Sequence, residues 1–192
     1  MHLNLVRTRK SGFTIVELLV VIVVIAILAS VSIVAYNGIQ GRARDSQRTQ
    51  DMNNIVKSLE LYKTINGAYP AVHQTSGAYG WEVSTDGMDA TNFISDLVLS
   101  DTVSSVPVDP ANSGDPTDLG PSWNSDSKLY FYYKYPAGSY GCDAARGEYY
   151  VLGVTRMDGI AVGQSHPSSP NFSCSGRNWN VTGAWVTGGY TH

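Results

Sequence analysis

The chain has 192 residues, a length for one domain or one domain with an appendage. It is 43% hydrophobic and 10% aromatic but only 15% charged, a mix that suits short strands and turns and argues against a helix bundle. The net charge of −3 is unevenly spread: residues 66–192 hold five bases and twelve acids, so the folded bulk is acidic and no direct nucleic-acid binding is expected of it.

Basic residues come first: Arg7, Arg9 and Lys10, with no acid among residues 1–12. From residue 13 to 36 the only charge is Glu17, and residues 18–29 are unbroken apolar sequence. Such a stretch makes about 36 Å of helix, enough to cross a hydrocarbon core. The basic flank would stay in the cytoplasm and the remainder would lie outside. A secretory signal would need a shorter apolar core and a small-residue cleavage site after it, which SVSIVAYNG does not supply. A plain anchor fits the length but leaves Glu17 unexplained, since an acid in a spanning helix costs a few kcal/mol and is by default functional. A third reading puts the processing site before the apolar run.

The stretch Lys10-Ser11-Gly12-Phe13-Thr14-Ile15-Val16-Glu17-Leu18-Leu19 resembles the class III signal of type IV pilins and pseudopilins. Their pattern is a basic leader ending in Gly, then Phe, then an apolar helix with Glu at its fifth position. LELYKTINGAYP (59–70) is similar to the helix exit of pseudopilin-like members, and SSVPVDP (104–110) to the turn that follows. Many members carry a Pro in the apolar helix. Here that neighbourhood reads SIVAY, and Gly38 and Gly41 are the candidate weak points.

The pattern then turns amphipathic. Met52, Ile55, Val56, Leu59 and Tyr62 recur at three- and four-residue steps and form one apolar stripe. Asp45–Arg48, Arg48–Asp51 and Glu60–Lys63 read as opposite-charge pairs on exposed faces. Asn66-Gly67 and Pro70 end the helix, which is expected over about residues 13–65 and is about 80 Å long.

Residues 71–90 read as loop, and residues 91–101 as a short helix with Thr91 or Asn92 as cap. Residues 107–127 read as an extended loop. Strands follow at 128–135, with Leu129, Phe131, Tyr133 and Tyr135 on one face, and at 148–157, apolar enough to be central. Asp158-Gly159 signals a hairpin into IAVG, and a last strand is expected near 178–186. The expected fold is α+β: a long N-terminal helix, its first half transmembrane and its second amphipathic, packed on a small antiparallel sheet of three to five strands (the pilin lollipop). The expected divisions are a leader (1–12), a hydrophobic assembly helix (13–36), its amphipathic continuation (37–66) and a globular head (67–192).

Cleavage between Gly12 and Phe13, signalled by Lys10, Ser11 and Gly12, would create an ammonium at Phe13, N-methylated by family analogy. Glu17, buried among bundled helices, would answer the Phe13 ammonium of a neighbouring copy and penalise wrong registers. The alternative is a pair with Phe13 of its own chain. Cys142 and Cys174 either form one disulfide in an oxidising compartment or remain reduced thiols. A loop of about 33 residues would then be worth roughly 3–4 kcal/mol. Asp109, Asp115, Asp118 and Asp126 crowd one loop and are calcium candidates by oxygen chemistry and family analogy, against a solvated acidic loop as the plainer reading.

His73 and His166 are isolated, and no catalytic motif is present, so neither an enzyme nor a cofactor is expected. Tyr130 to Tyr135 suit sheet packing more than ligand stacking. Asn171-Phe172-Ser173 and Asn180-Val181-Thr182 match a glycosylation sequon.

The resemblance implies a structural subunit of a type IV pilus, serving adhesion, twitching motility or DNA uptake. It would be a single-pass membrane protein before assembly and part of a cell-surface filament afterwards. The implied partners are its own copies in a helical filament, the prepilin peptidase and the pilus assembly platform. The alternatives are a pseudopilin of a type II-like secretion system and, in a different class, a membrane-anchored surface binding protein that does not polymerise. Arg42, Arg44 and Arg48 are expected to offset acidic heads across subunit contacts.

Overall fold

A computed structural model describes residues 12–73, 80–85, 93–114, 126–161 and 163–192. It contains two compact units, residues 1–40 and 41–192.

In the first unit, helix α1 (Ile15–Asn66) begins. Phe13, Ile15, Leu18, Ile22, Ile25 and Leu28 are all exposed in the single chain. This segment is long and apolar enough to cross a membrane. Ser30 and Ser32 return their hydroxyls to the carbonyls of Ile27 and Leu28, at 2.7 and 2.8 Å, so these polar interruptions are satisfied within the helix.

In the second unit the later turns of α1 bury one stripe: Gly41, Asp45, Arg48, Met52, Ile55 and Leu59, at alternating steps of four and three. The stripe closes on a four-stranded antiparallel sheet, ordered β1 (Glu82–Val83), β2 (Tyr130–Tyr135), β3 (Tyr149–Val154) and β6 (Trp185–Tyr190). β2 and β6 flank β3, with Tyr132 opposite Leu152 and Leu152 opposite Thr187. The expectation of a central strand near 148–157 therefore holds, and the α+β architecture is the one observed. The helix ends at Asn66, where Gly67 takes φ +78° and its N–H reaches the Lys63 carbonyl at 2.8 Å.

The alternation of β2 assigns its side chains to two cores. Tyr130 and Tyr132 join Met52, Ile55, Leu59, Tyr150, Leu152 and Trp185 beneath α1. Leu129, Phe131 and Tyr135 join Trp81, Tyr149, Val151, Trp179 and Val186 on the opposite face. That second face is covered by the hairpin of β4 (Ser173–Cys174) and β5 (Arg177–Asn178) and by a single 3₁₀ turn, Trp179–Val181. Each fully buried large side chain contributes about 1.5–3 kcal/mol of transfer free energy.

Four expectations need correction. The segment read as loop to residue 90 contributes β1, because Glu82 and Val83 pair with Tyr132 and Phe131. Helix α2 is shorter than expected, Ser95–Leu99, because Ile94 takes a left-handed conformation (φ 48°) and its N–H is held by the buried Glu82 carboxylate at 2.8 Å. The expected caps Thr91 and Asn92 lie outside the described residues. Asp158-Gly159 is a turn, but no strand follows it among the described residues of 160–163. Both of its N–H groups are taken by the Asp45 side chain, at 2.7 Å each, which replaces the ladder a hairpin would have formed. The last strand starts at Trp185, later than expected, because residues 177–182 turn across the sheet face.

Candidate functional site

Gly12 and Phe13 precede α1, and Phe13 is 81% exposed. The first turn is closed by a reciprocal pair. The Thr14 N–H and hydroxyl donate to Glu17 Oε2 at 2.8 and 2.7 Å, and the Glu17 N–H donates to Thr14 Oγ1 at 3.2 Å. This is a capping box, which satisfies two N–H groups that a helix start otherwise leaves orphaned. Its signature, Thr-x-x-Glu before an apolar run, stands in the sequence. In the single chain, then, Glu17 serves its own helix start. Lys10 and Ser11 lie outside the described residues.

The sequence reading missed a knot of charge in the head. Arg48 is wholly buried. Its Nε and Nη2 donate to both oxygens of Asp109, at 2.7 and 3.0 Å. Its Nη1 donates to Asp45 at 2.8 Å and to Asp158 at 2.7 Å. Arg44 and Lys128 also reach Asp158, at 2.8 and 2.5 Å. Three cations thus balance three carboxylates, the condition under which a buried charge is tolerated. Burial works against ionised Arg48, but Asp109, Asp158 and Asp45 outweigh it and raise its pKa. Burial alone would lift Asp158; hydrogen bonds from Arg44, Lys128 and Arg48 instead hold it far below the usual carboxylate range.

The pairs expected on exposed faces are therefore corrected in part. Asp45 and Arg48 are buried, while Asp51 takes the Tyr130 hydroxyl at 2.9 Å. Arg44 and Arg48, expected to face neighbouring subunits, are engaged within their own chain. The phase of the stripe was the available signal, because Arg48 lies four residues before Met52.

Of the calcium candidates, Asp109 is occupied by Arg48 and by the N–H groups of Ala111 and Asn112, at 2.8 and 3.3 Å. Asp126 is an exposed side chain at 2.9 Å from Arg156. Asp115 and Asp118 lie outside the described residues. Cys142 and Cys174 form a disulfide that ties the segment after β2 to the β4–β5 hairpin. His73 pairs with Asp96 at 2.7 Å, and His166 with Ser168 at 2.7 Å. Asn171 is exposed, whereas the Asn180 side chain holds the Phe172 N–H at 2.8 Å.

A helix of membrane-spanning length whose later turns pack on an antiparallel sheet, preceded by Gly-Phe and capped through Glu17, is a pilin-like architecture. Comparison with known proteins agrees. The family described as the prokaryotic N-terminal methylation motif matches residues 7–33. The type II secretion system core protein G of Aeromonas hydrophila is 35% identical over 68 residues, 35% of this chain and 48% of that protein. The corresponding protein of Escherichia coli (strain K12) is 33% identical over 66 residues, 34% and 46% of the two chains. The type IV wide pilus major component PilA4 of Thermus thermophilus is 45% identical over 59 residues, 31% and 45% of the two chains. The chain spans about half the length of these curated relatives. No solved structure gives a significant match. Over this segment the chain is similar to type IV pilins and to type II secretion pseudopilins.

Proposed function

We propose that the chain is a structural, non-enzymatic subunit of a type IV pilus, made as a membrane precursor, cut between Gly12 and Phe13 and polymerised through the apolar part of α1. The observation that carries this reading is the exposed apolar helix surface behind Gly12-Phe13, with a single acid, Glu17, near its start. Such a surface needs lipid or other copies of itself to cover it. In this reading prepilin peptidase removes residues 1–12, and Glu17 exchanges its local capping partners for the ammonium of a neighbour's Phe13. Before assembly the subunit sits in the membrane as a single span; after assembly it lies in a surface filament raised by an assembly platform. The pilus would serve adhesion, twitching motility or DNA uptake.

A second reading, a pseudopilin of a type II-like secretion system, is favoured by the similarity to the core protein G of such systems. Both readings share the cut and the polymer.

Glu17→Ala tests the assembly step. Normal trimming after Gly12 with few or no sheared filaments is expected; abundant filaments of normal appearance would remove the role given to Glu17. Retention of the wild-type chain with membranes after shearing would instead favour an anchored binding protein that does not polymerise.

A further inference from the structure

Residues 66–192 carry five cations. Three are committed to carboxylates: Lys128 to Asp158, Lys134 to Glu148 and Arg156 to Asp126. The other two, Arg146 and Arg177, have no carboxylate within ion-pair distance among the described residues, and both stack on aromatic rings. The Arg146 guanidinium lies 3.9 Å from the Tyr190 ring centre. The Arg177 guanidinium lies 4.4 Å from that of Trp179 and 5.5 Å from that of Tyr140, and its Nε is buried without a hydrogen-bond partner.

The disulfide brings the two arginines to one region. Arg177 pairs with Cys174 across the β4–β5 hairpin. Cys174 Sγ is 3.6 Å from the Tyr190 hydroxyl, and its partner Cys142 opens the short segment that ends at Arg146. Tyr140, 48% exposed, packs edge-on against Trp179 at 5.3 Å, while Tyr190 packs against Phe172 at 5.7 Å. Tyr140 is held at φ 53°, with the neighbouring backbone fixed by the Gly176 N–H to Tyr140 carbonyl bond at 2.9 Å.

We propose that Arg146 and Arg177, with Tyr140 and Tyr190, form a binding surface for a carboxylated polysaccharide, a polymer of uronate-type sugars. A guanidinium lying on an aromatic face is partly desolvated and already oriented, so it loses little on binding. Its edge still offers paired N–H groups that match a carboxylate. Exposed ring surface beside such an edge, as at Tyr140, fits the C–H face of a sugar. The acids nearby are engaged: Asp143 holds the Ala145 N–H at 3.0 Å, and Glu148 faces Lys134.

Nucleic acid fits less well. Its binding rests on neutralising many closely spaced phosphates, whereas this region offers two unpaired cations on a body with seven more acids than bases. The proposal stands whether or not the chain polymerises.

The test is retention of the full chain in detergent on immobilised polygalacturonate, beside neutral dextran and single-stranded DNA. Retention on polygalacturonate alone, lost at high salt, is expected. Arg146→Gln and Arg177→Gln should each weaken it by about tenfold, as loss of a charge-assisted hydrogen bond implies, and the double variant should abolish it. Lys57→Gln, which removes an exposed cation from α1, should leave it unchanged. Arg146→Lys and Arg177→Lys keep the charge and lose the fork, so they should weaken retention even if the glutamine variants fold poorly. No retention on polygalacturonate, equal retention on dextran, tighter retention on DNA, or full retention by the folded double variant would overturn the proposal.

Discussion

Arg48 shows how far a single residue departs from what its neighbours in sequence suggest. Charged residues three apart on a helix ordinarily mark a solvated face, yet Arg48 continues the buried stripe of Met52, Ile55 and Leu59. Its partners Asp109 and Asp158 lie 61 and 110 residues away, so no local pattern could name them. The motif that joins Gly12, Phe13 and Glu17 was legible because it consists of short spacings. Truncating Arg48 leaves Asp109 buried without its cation, and Arg48→Ala should destabilise the head by about 3–5 kcal/mol, measured by chemical denaturation. Asp158 adds a pH dependence. Its pKa is lowered in the folded state, so its contribution is fully present above the unfolded value of about 3.9 and fades as pH falls from there towards the folded value. Stability should therefore drop on acidification below about pH 4, and Asp158→Asn should flatten that drop.

At the scale of elements, the long helix and the two central strands were legible because their periods of 3.6 and 2 are strong signals. The edge of the sheet was not. β1 has two residues, too few for any period, and exists because β2 offers it a ladder. The turn at Asp158-Gly159 failed as a hairpin signal because Asp45, on another element, satisfies its N–H groups.

The end of α1 rests on a conformation only glycine adopts freely. Gly67→Ala should cost about 1 kcal/mol, since φ +78° disfavours a Cβ though nothing lies within 4 Å of one. The disulfide does for the β4–β5 hairpin what its short strands cannot. Replacing both Cys142 and Cys174 with Ser should lower the unfolding free energy by roughly 3–4 kcal/mol. Amide exchange should rise first in residues 172–182, the cover of the second core.

At the scale of the whole molecule, the composition already separates two kinds of surface. The first unit exposes aliphatic side chains along the helix, and the second exposes mostly polar ones around two internal cores. The aliphatic surface of α1 from Ile15 to Ile33 does not suit water, and Glu17 near its start is hydrogen-bonded to Thr14. The proposed cut after Gly12 would change that position. The new ammonium at Phe13 would offer Glu17 a charged partner, and side-by-side packing of copies would cover the aliphatic surface.

The most direct test is the intact mass of the chain recovered in filaments sheared from the cell surface. The expected result is filaments whose main chain begins at Phe13, carries one added methyl and contains the Cys142–Cys174 disulfide. A chain that keeps Met1 and stays with the membranes after shearing, with no filaments released, would contradict it.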